Sequence, residues 1–298
     1  MANKRVFKVG NLWLVLGLLF LYLPMVILVI YSFNSSRLVT VWAGFSAKWY
    51  SELFADDQLM KAVWTSLKVA FFAASAAIVL GTMSAFVMVR FKSSGLKTTF
   101  SSLITAPLVM PDVIIGLSLL LLFVAMADLV GWPADRGMLT IWIAHVTFCS
   151  AYVAVVVASR FKEMDAALEE AAMDLGATPL VTFFTITLPL LLPAVAAGWL
   201  LAFTLSLDDL VIASFVSGPG ATTLPMEVFS SVRLGVSPKI NALASLIILV
   251  VSIVAWLTWL LMRRAEKQRL KDQQQFEQAL VQKQQQREKT LTQKAPVN

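Results

Sequence analysis

Apolar residues run along the chain in six long stretches, at about 12–33, 62–89, 100–127, 138–159, 190–216 and 241–262. Each exceeds the roughly 18 nearly uncharged residues that mark a membrane-crossing helix. Two-residue alternation, the signature of a barrel strand, is not apparent. The pattern predicts an all-α membrane protein with six transmembrane helices. Lys4, Arg5 and Lys8 precede the first stretch, which reaches from about Leu12 to Phe33. It is too long for the apolar core of a signal peptide, and no small-x-small cleavage site follows, so it reads as a retained first span.

The charges between the stretches set the direction. With the N-terminus in the cytoplasm, 17 of the 24 Lys and Arg residues lie inside and 6 outside. The remaining one, Lys68, sits near the outer end of the second span, where its stem can snorkel. This bias follows the positive-inside rule, and Trp42, Trp49, Tyr50, Trp64 and Trp132 gather on the outer side as an aromatic belt. The predicted topology is N-in, C-in, without an internal repeat. Residues 1–11 form a cytoplasmic N-terminus, 12–262 the six-helix domain, and 263–298 a Gln- and Lys-rich cytoplasmic tail expected to be a solvated appendage.

Composition narrows the function. The chain has 298 residues, 58% hydrophobic and 14% charged, against about 25% charged in soluble domains. Most of the net charge of +6 comes from the tail, with 9 Lys or Arg against 4 Asp or Glu, so a nucleic-acid partner is not expected. The single cysteine, Cys149, cannot form an internal disulfide, and Cys/His clusters with metal-ligand spacing are absent. His145 and Cys149 share a face at i, i+4, but two ligands do not make a site, so His145 is expected to be buried and hydrogen-bonded. No Gly-x-x-x-x-Gly-Lys-Ser/Thr phosphate loop occurs, so the chain carries no nucleotide site of that kind. Nor is there a nucleophile–base pair, so no catalytic residue is assigned and the chain is read as a non-enzyme.

The cytoplasmic loop 160–189 carries the most specific pattern. Met164, Leu168, Ala171 and Leu175 fall at i, i+4, i+7, i+11, one face of a helix expected over about 163–176. Glu163, Glu169, Glu170 and Asp174 lie off that stripe. Gly176 supplies a helix stop, and Thr178-Pro179 a cap and first residue for the next helix. Surface helices on a bilayer favour basic polar faces. An acidic amphipathic helix suits a groove on another protein instead.

Three carboxylates lie within spans, where a charge costs about 2.5–3.5 kcal/mol and marks a functional candidate. Asp112 follows Pro107 and Pro111 and falls near the midplane; Asp208 and Asp209 fall slightly nearer the outside. Ser206-x-x-Asp209 has capping-box spacing, so the fifth span can break there. Adjacent residues point about 100° apart on a helix, so one of the pair is expected to be structural and the other to line a path. Asp112 either satisfies amides freed by the prolines or faces the same path. Acids without a matching run of Arg suit a cation, and Tyr152, Phe203 and Trp199 could add cation–π contacts.

The spacing Glu170-Ala171-Ala172, Gly176, Ile186-x-Leu188-Pro189 resembles the EAA loop of ABC-importer permeases. The segments YSFNSS (31–36), PLVMPDVIIGLSLLLLF (107–123), HVTFCSAYV (145–153), AGWLLAFTLSLDDLVIASFVSGPG (197–220) and GVSPKINALA (235–244) are similar to the polyamine branch of that family, nearest its putrescine-type members. The resemblance implies a type I (MetI-like) importer permease in a bacterial inner membrane. It implies that Glu170, Ala171, Ala172 and Gly176, with Leu168 and Met164 of the stripe, contact a separate ATPase. ATP and Mg would sit on that partner, with no cofactor in this chain. Six spans are too few to enclose a path, so a second six-span permease is expected, with two ATPase subunits and a periplasmic binding protein. Putrescine is the expected substrate, spermidine the next. The rival readings are an iron(III) or thiamine importer, and a membrane scaffold or sensor that moves no solute.

Overall fold

Among the described residues, six helical stretches are long and apolar enough to cross a membrane: Asn11–Tyr31, Asp57–Arg90, Asp112–Val130, Met138–Lys162, Pro179–Asp208 and Pro238–Leu257. The computed structural model describes residues 2–38, 41–91, 94–235, 237–257, 259–260 and 263; the tail beyond lies outside them. Its helices are α1 (Ala2–Tyr31), α2 (Lys48–Phe54), α3 (Asp57–Arg90), α4 (Gly95–Thr105), α5 (Asp112–Val130), α6 (Met138–Lys162), α7 (Ala167–Asp174), α8 (Pro179–Thr182), α9 (Leu188–Asp208), α10 (Val211–Val216), α11 (Leu224–Leu234) and α12 (Pro238–Leu257).

The chain divides into two compact bodies. Met1–Tyr50 and Pro238–Asn298 make up one of them. Here α1 buries none of its most apolar window. The loop after it is built around buried Asn34, whose side chain donates to the Val41 carbonyl (2.7 Å) and accepts from the Ala43 amide (3.0 Å). The Asn34 carbonyl accepts from the Trp49 indole at 2.6 Å. Tyr50 then joins Ser32 at the end of α1 to Ser245 of α12, each at 2.8 Å.

The second body, Ser51–Ser237, holds the core. It is organised by α3, which Asp56 caps through the amides of Gln58 and Leu59. Its buried face is a stripe of small residues: Ala62, Ser66, Ala70, Ala74, then Ala77, Gly81 and Ala85. Lipid offers no hydrophobic drive between helices, so close backbone approach over small residues is what holds spans together. Against this stripe pack α6 and α9. A Cβ on Gly81 would collide with the Val153 side chain of α6, and one on Gly198 of α9 would lie 3.3 Å from Ile78 Cδ1. Gly116 likewise brings α5 onto Ile212 and Phe215 of α10.

Two spans are interrupted. The third is broken: α4 ends at Thr105, a tight turn covers Ala106–Leu108, and Pro111 precedes α5. Pro107 and Pro111 lack the amide hydrogen and fix φ, which a continuous helix cannot absorb twice within four residues. The fifth span enters through a π-helical turn, Phe183–Thr187, and breaks after Asp208. Pro189 and Pro193 remove the donors that the carbonyls of residues 185 and 189 would use, so the winding loosens there.

Because Gly81 leaves no room for a side chain, Gly81→Leu should cost about 2–3 kcal/mol. A lowered unfolding midpoint of the detergent-solubilised protein is the expected reading; an unchanged midpoint would refute the tight α3–α6 contact.

Candidate translocation path and docking helix

One stripe of α6 carries three side chains able to make polar contacts inside the second body. His145, Cys149 and Tyr152 recur at i, i+4 and i+7, so they share a face. His145 is fully buried and takes both its partners from the broken fifth span: Nδ1 meets Ser206 Oγ at 2.6 Å and Nε2 meets Asp209 Oδ2 at 3.1 Å. Cys149 Sγ lies 3.5 Å from the Ala202 carbonyl.

Asp209 is the structural member of the acid pair. Its backbone is extended, it stands between α9 and α10, and its carboxylate accepts from the amides of Ile212 (3.2 Å) and Ala213 (2.8 Å). Its side chain is only 8% exposed. The break frees amides that cannot reach water, and Asp209 answers them as the Ser206-x-x-Asp209 spacing suggested. Asp208, the last residue of α9, is exposed, and so is Asp112, the first residue of α5.

Depth follows from helix rise. Tyr152 is ten residues from the inner end of α6, about 15 Å. Through its contact with His145, Asp209 is held against this stripe, and Asp208 precedes it at the end of α9. Tyr152 is half-buried, edge-on to Phe148 at 5.0 Å. Trp199 and Phe203 stack on each other at 5.3 Å, and Trp199 donates to Ser75 of α3. Trp199 thus serves the α3–α9 contact, and it also lies edge-on to Phe71 of α3.

On the cytoplasmic side the helix is shorter than the expected 163–176. Asp165 accepts from the Ala167 amide in a tight turn, and only Ala167–Asp174 is wound as α7. Met164 falls before that turn and packs against the core, whereas Leu168, Ala171 and Leu175 point outward. Leu168 is 49% exposed and Leu175 91%. Glu170, Ala171 and Gly176 are exposed and Ala172 is half-buried. Gly176 has φ +89°, the left-handed conformation that ends α7, and Thr178 caps α8 through the Val181 amide.

Sequence reasoning singled out Glu170 and passed over its neighbour. Glu169 is the acid that the fold engages: its carboxylate pairs with Arg90 Nη2 at 2.7 Å and accepts from Thr187 Oγ1 at 2.7 Å. A basic residue ending one span and an acid in the next cytoplasmic loop but one is too common a pattern to have signalled it. The His145–Asp209 contact was equally hidden, although a lone histidine inside a span invited the search.

The fold and its breaks define an inner-membrane component of a transport system. Residues 77–269 match the family described as "Binding-protein-dependent transport system inner membrane component", and the chain belongs to that family. It is 69% identical over 259 residues to the putrescine transport system permease protein PotI of Escherichia coli K12, covering 87% of this chain and 92% of that one. Identity to the spermidine/putrescine transport system permease protein PotC of the same strain is 43%, over 79% and 86%. Among solved structures, a bacterial ABC transporter that imports alginate matches with TM-score 0.67 at 17% identity, over 87% of this chain and 97% of that one. The MetNI methionine transporter matches with TM-score 0.54 at 18% identity, over 66% and 90%. These likenesses establish the importer-permease fold, and with the six apolar helices they make this a multi-pass inner-membrane protein.

Losing the Asp209 cap leaves two amides and a buried histidine short of a partner. Asp209→Ala should therefore cost about 2–3 kcal/mol of stability, and Asp208→Ala far less. Unfolding midpoints of the two variants in detergent check this; equal midpoints would contradict the assignment.

Proposed function

We propose that the chain is the permease subunit of a polyamine importer, with putrescine the preferred cargo and spermidine the next. The observation that carries the reading is the 69% identity to a putrescine permease over 87% of the chain. The intramembrane acids support it physically: Asp112 and Asp208 are exposed, and Asp209 is held to α6 through His145. Several carboxylates within the spans suit a flexible diammonium, which can shift one charge at a time. Weak, multiple contacts allow passage, where one deep well would trap the cation.

In this reading the path is completed by a second six-span permease. A periplasmic binding protein delivers the amine, and two ATPase subunits dock on the cytoplasmic side. The docking face is α7 and its flanks: Leu168 and Ala171 with Glu170, Ala172 and Gly176, while Met164 anchors the approach to the core. Leu168 is half exposed and Leu175 almost wholly so, which supports a face meant for a partner. ATP and Mg belong to the ATPase. Its nucleotide states bind the two conformations of the permease with different affinity, and that difference supplies the work.

The test is uptake of labelled putrescine, with and without excess spermidine, in polyamine-transport-deficient cells expressing the chain with its neighbouring transport subunits. Saturable, ATP-dependent uptake is expected. Asp208→Asn should lower it about tenfold while the complex still assembles. Gly176→Asp should abolish it, since a Cβ is strained at φ +89°. Uptake unchanged in Asp208→Asn would remove that acid from the path, and no uptake by an assembled wild-type complex would reject the polyamine.

A further inference from the structure

We propose that Glu169 is a positioning residue that fastens the coupling helix to three spans, so that movement of α7 is passed to them together. The inference rests on the docking role given to α7 above. Neither end of α7 continues into a span. Residues 163–166 form a turn before it, and Gly176, at φ +89°, follows its end three residues before α8 begins. Loose joints of this kind transmit rotation poorly, so a rigid link has to come from side chains.

That link is built from both oxygens of one carboxylate. Glu169 Oε2 pairs with Arg90 Nη2 at 2.7 Å, and Oε1 accepts from Thr187 Oγ1 at 2.7 Å. Arg90 is the last residue of α3, and its guanidinium lies over the Phe161 ring of α6 at 4.9 Å. Thr187 closes the π-helical turn that leads into α9. Phe86 of α3 bridges the same elements, edge-on to Phe161 and to Phe183, each at 6.0 Å. The inner ends of α3, α6 and the α9 approach therefore converge on one ion pair.

The pair is sheltered: the side chains of Arg90 and Glu169 are 23% and 17% exposed. By contrast Arg160–Glu163, on the same surface, is 48% and 63% exposed. Water competes far less with the first pair than with the second, so only the first can hold elements in register. Glu170, one position on, points outward and is left for a partner. The two adjacent acids thus divide the work, Glu170 toward the docking subunit and Glu169 toward the spans.

The test uses the full chain in its assembled complex, reconstituted in proteoliposomes. Glu169→Gln should leave ATPase co-purification and ATP hydrolysis intact but lower putrescine uptake per ATP about fivefold. Arg90→Glu and Glu169→Arg should each do the same, and the two combined should exceed either alone. Wild-type uptake per ATP in Glu169→Gln would overturn the proposal, as would loss of ATPase co-purification in that variant. A cargo-independent reading comes from spin labels at the exposed Met173 and Met83 in a Cys149→Ala background. Their separation should be narrow, and broad in Glu169→Gln; equal widths would also overturn it. If putrescine is the wrong cargo, the wild type shows no uptake while the label distances still decide the fastening.

Discussion

A helix interrupted inside a bilayer frees amide and carbonyl groups that no water can reach, and each must find a partner within the protein. The functional features of this chain gather where that constraint is met. After α9, the Asp209 carboxylate takes up the amides that start α10, and His145, itself bonded to Ser206, holds the carboxylate in place. Once Asp209 is committed to the backbone, the neighbouring Asp208 is free of structural duty. A polar cluster at mid-depth is thus the consequence of a break, and the break gives the membrane interior an exposed charge.

Rigidity around the breaks comes from close packing. The small-residue stripe of α3 lets α6 and α9 approach until even a methyl group at Gly81 would not fit. Dispersion contacts at that range are numerous and individually weak, which makes the three-helix frame hard to deform gradually. The regular winding is interrupted outside this frame, at the π-helical turn before α9, the Pro107–Pro111 break and the turns on either side of α7.

The cytoplasmic surface shows a division between residues the chain uses itself and residues it leaves open. Met164 is drawn into the core and Glu169 into the Arg90 pair, whereas Leu168, Glu170, Ala171 and Leu175 remain outside. Exposed leucines on a short acidic helix carry no benefit for an isolated chain. They fit a family whose members work as components of larger transport systems.

The sequence by itself determined the membrane class, the number of spans and their direction, because these depend on stretch length and charge bias, which are additive along the chain. It also located the Gly176 stop, the Thr178 cap and the Ser206-x-x-Asp209 break, since each is decided within four residues. It did not reveal the length of α7, which Asp165 shortens, nor that the third span is wound as two separate helices on either side of the Pro107–Pro111 turn. Only the tertiary structure decided which of Asp208 and Asp209 is structural, that His145 is the partner, and that Glu169 rather than Glu170 engages the spans. Those choices turn on residues 18 to 79 positions apart meeting at hydrogen-bond distance, and no local pattern encodes such a meeting.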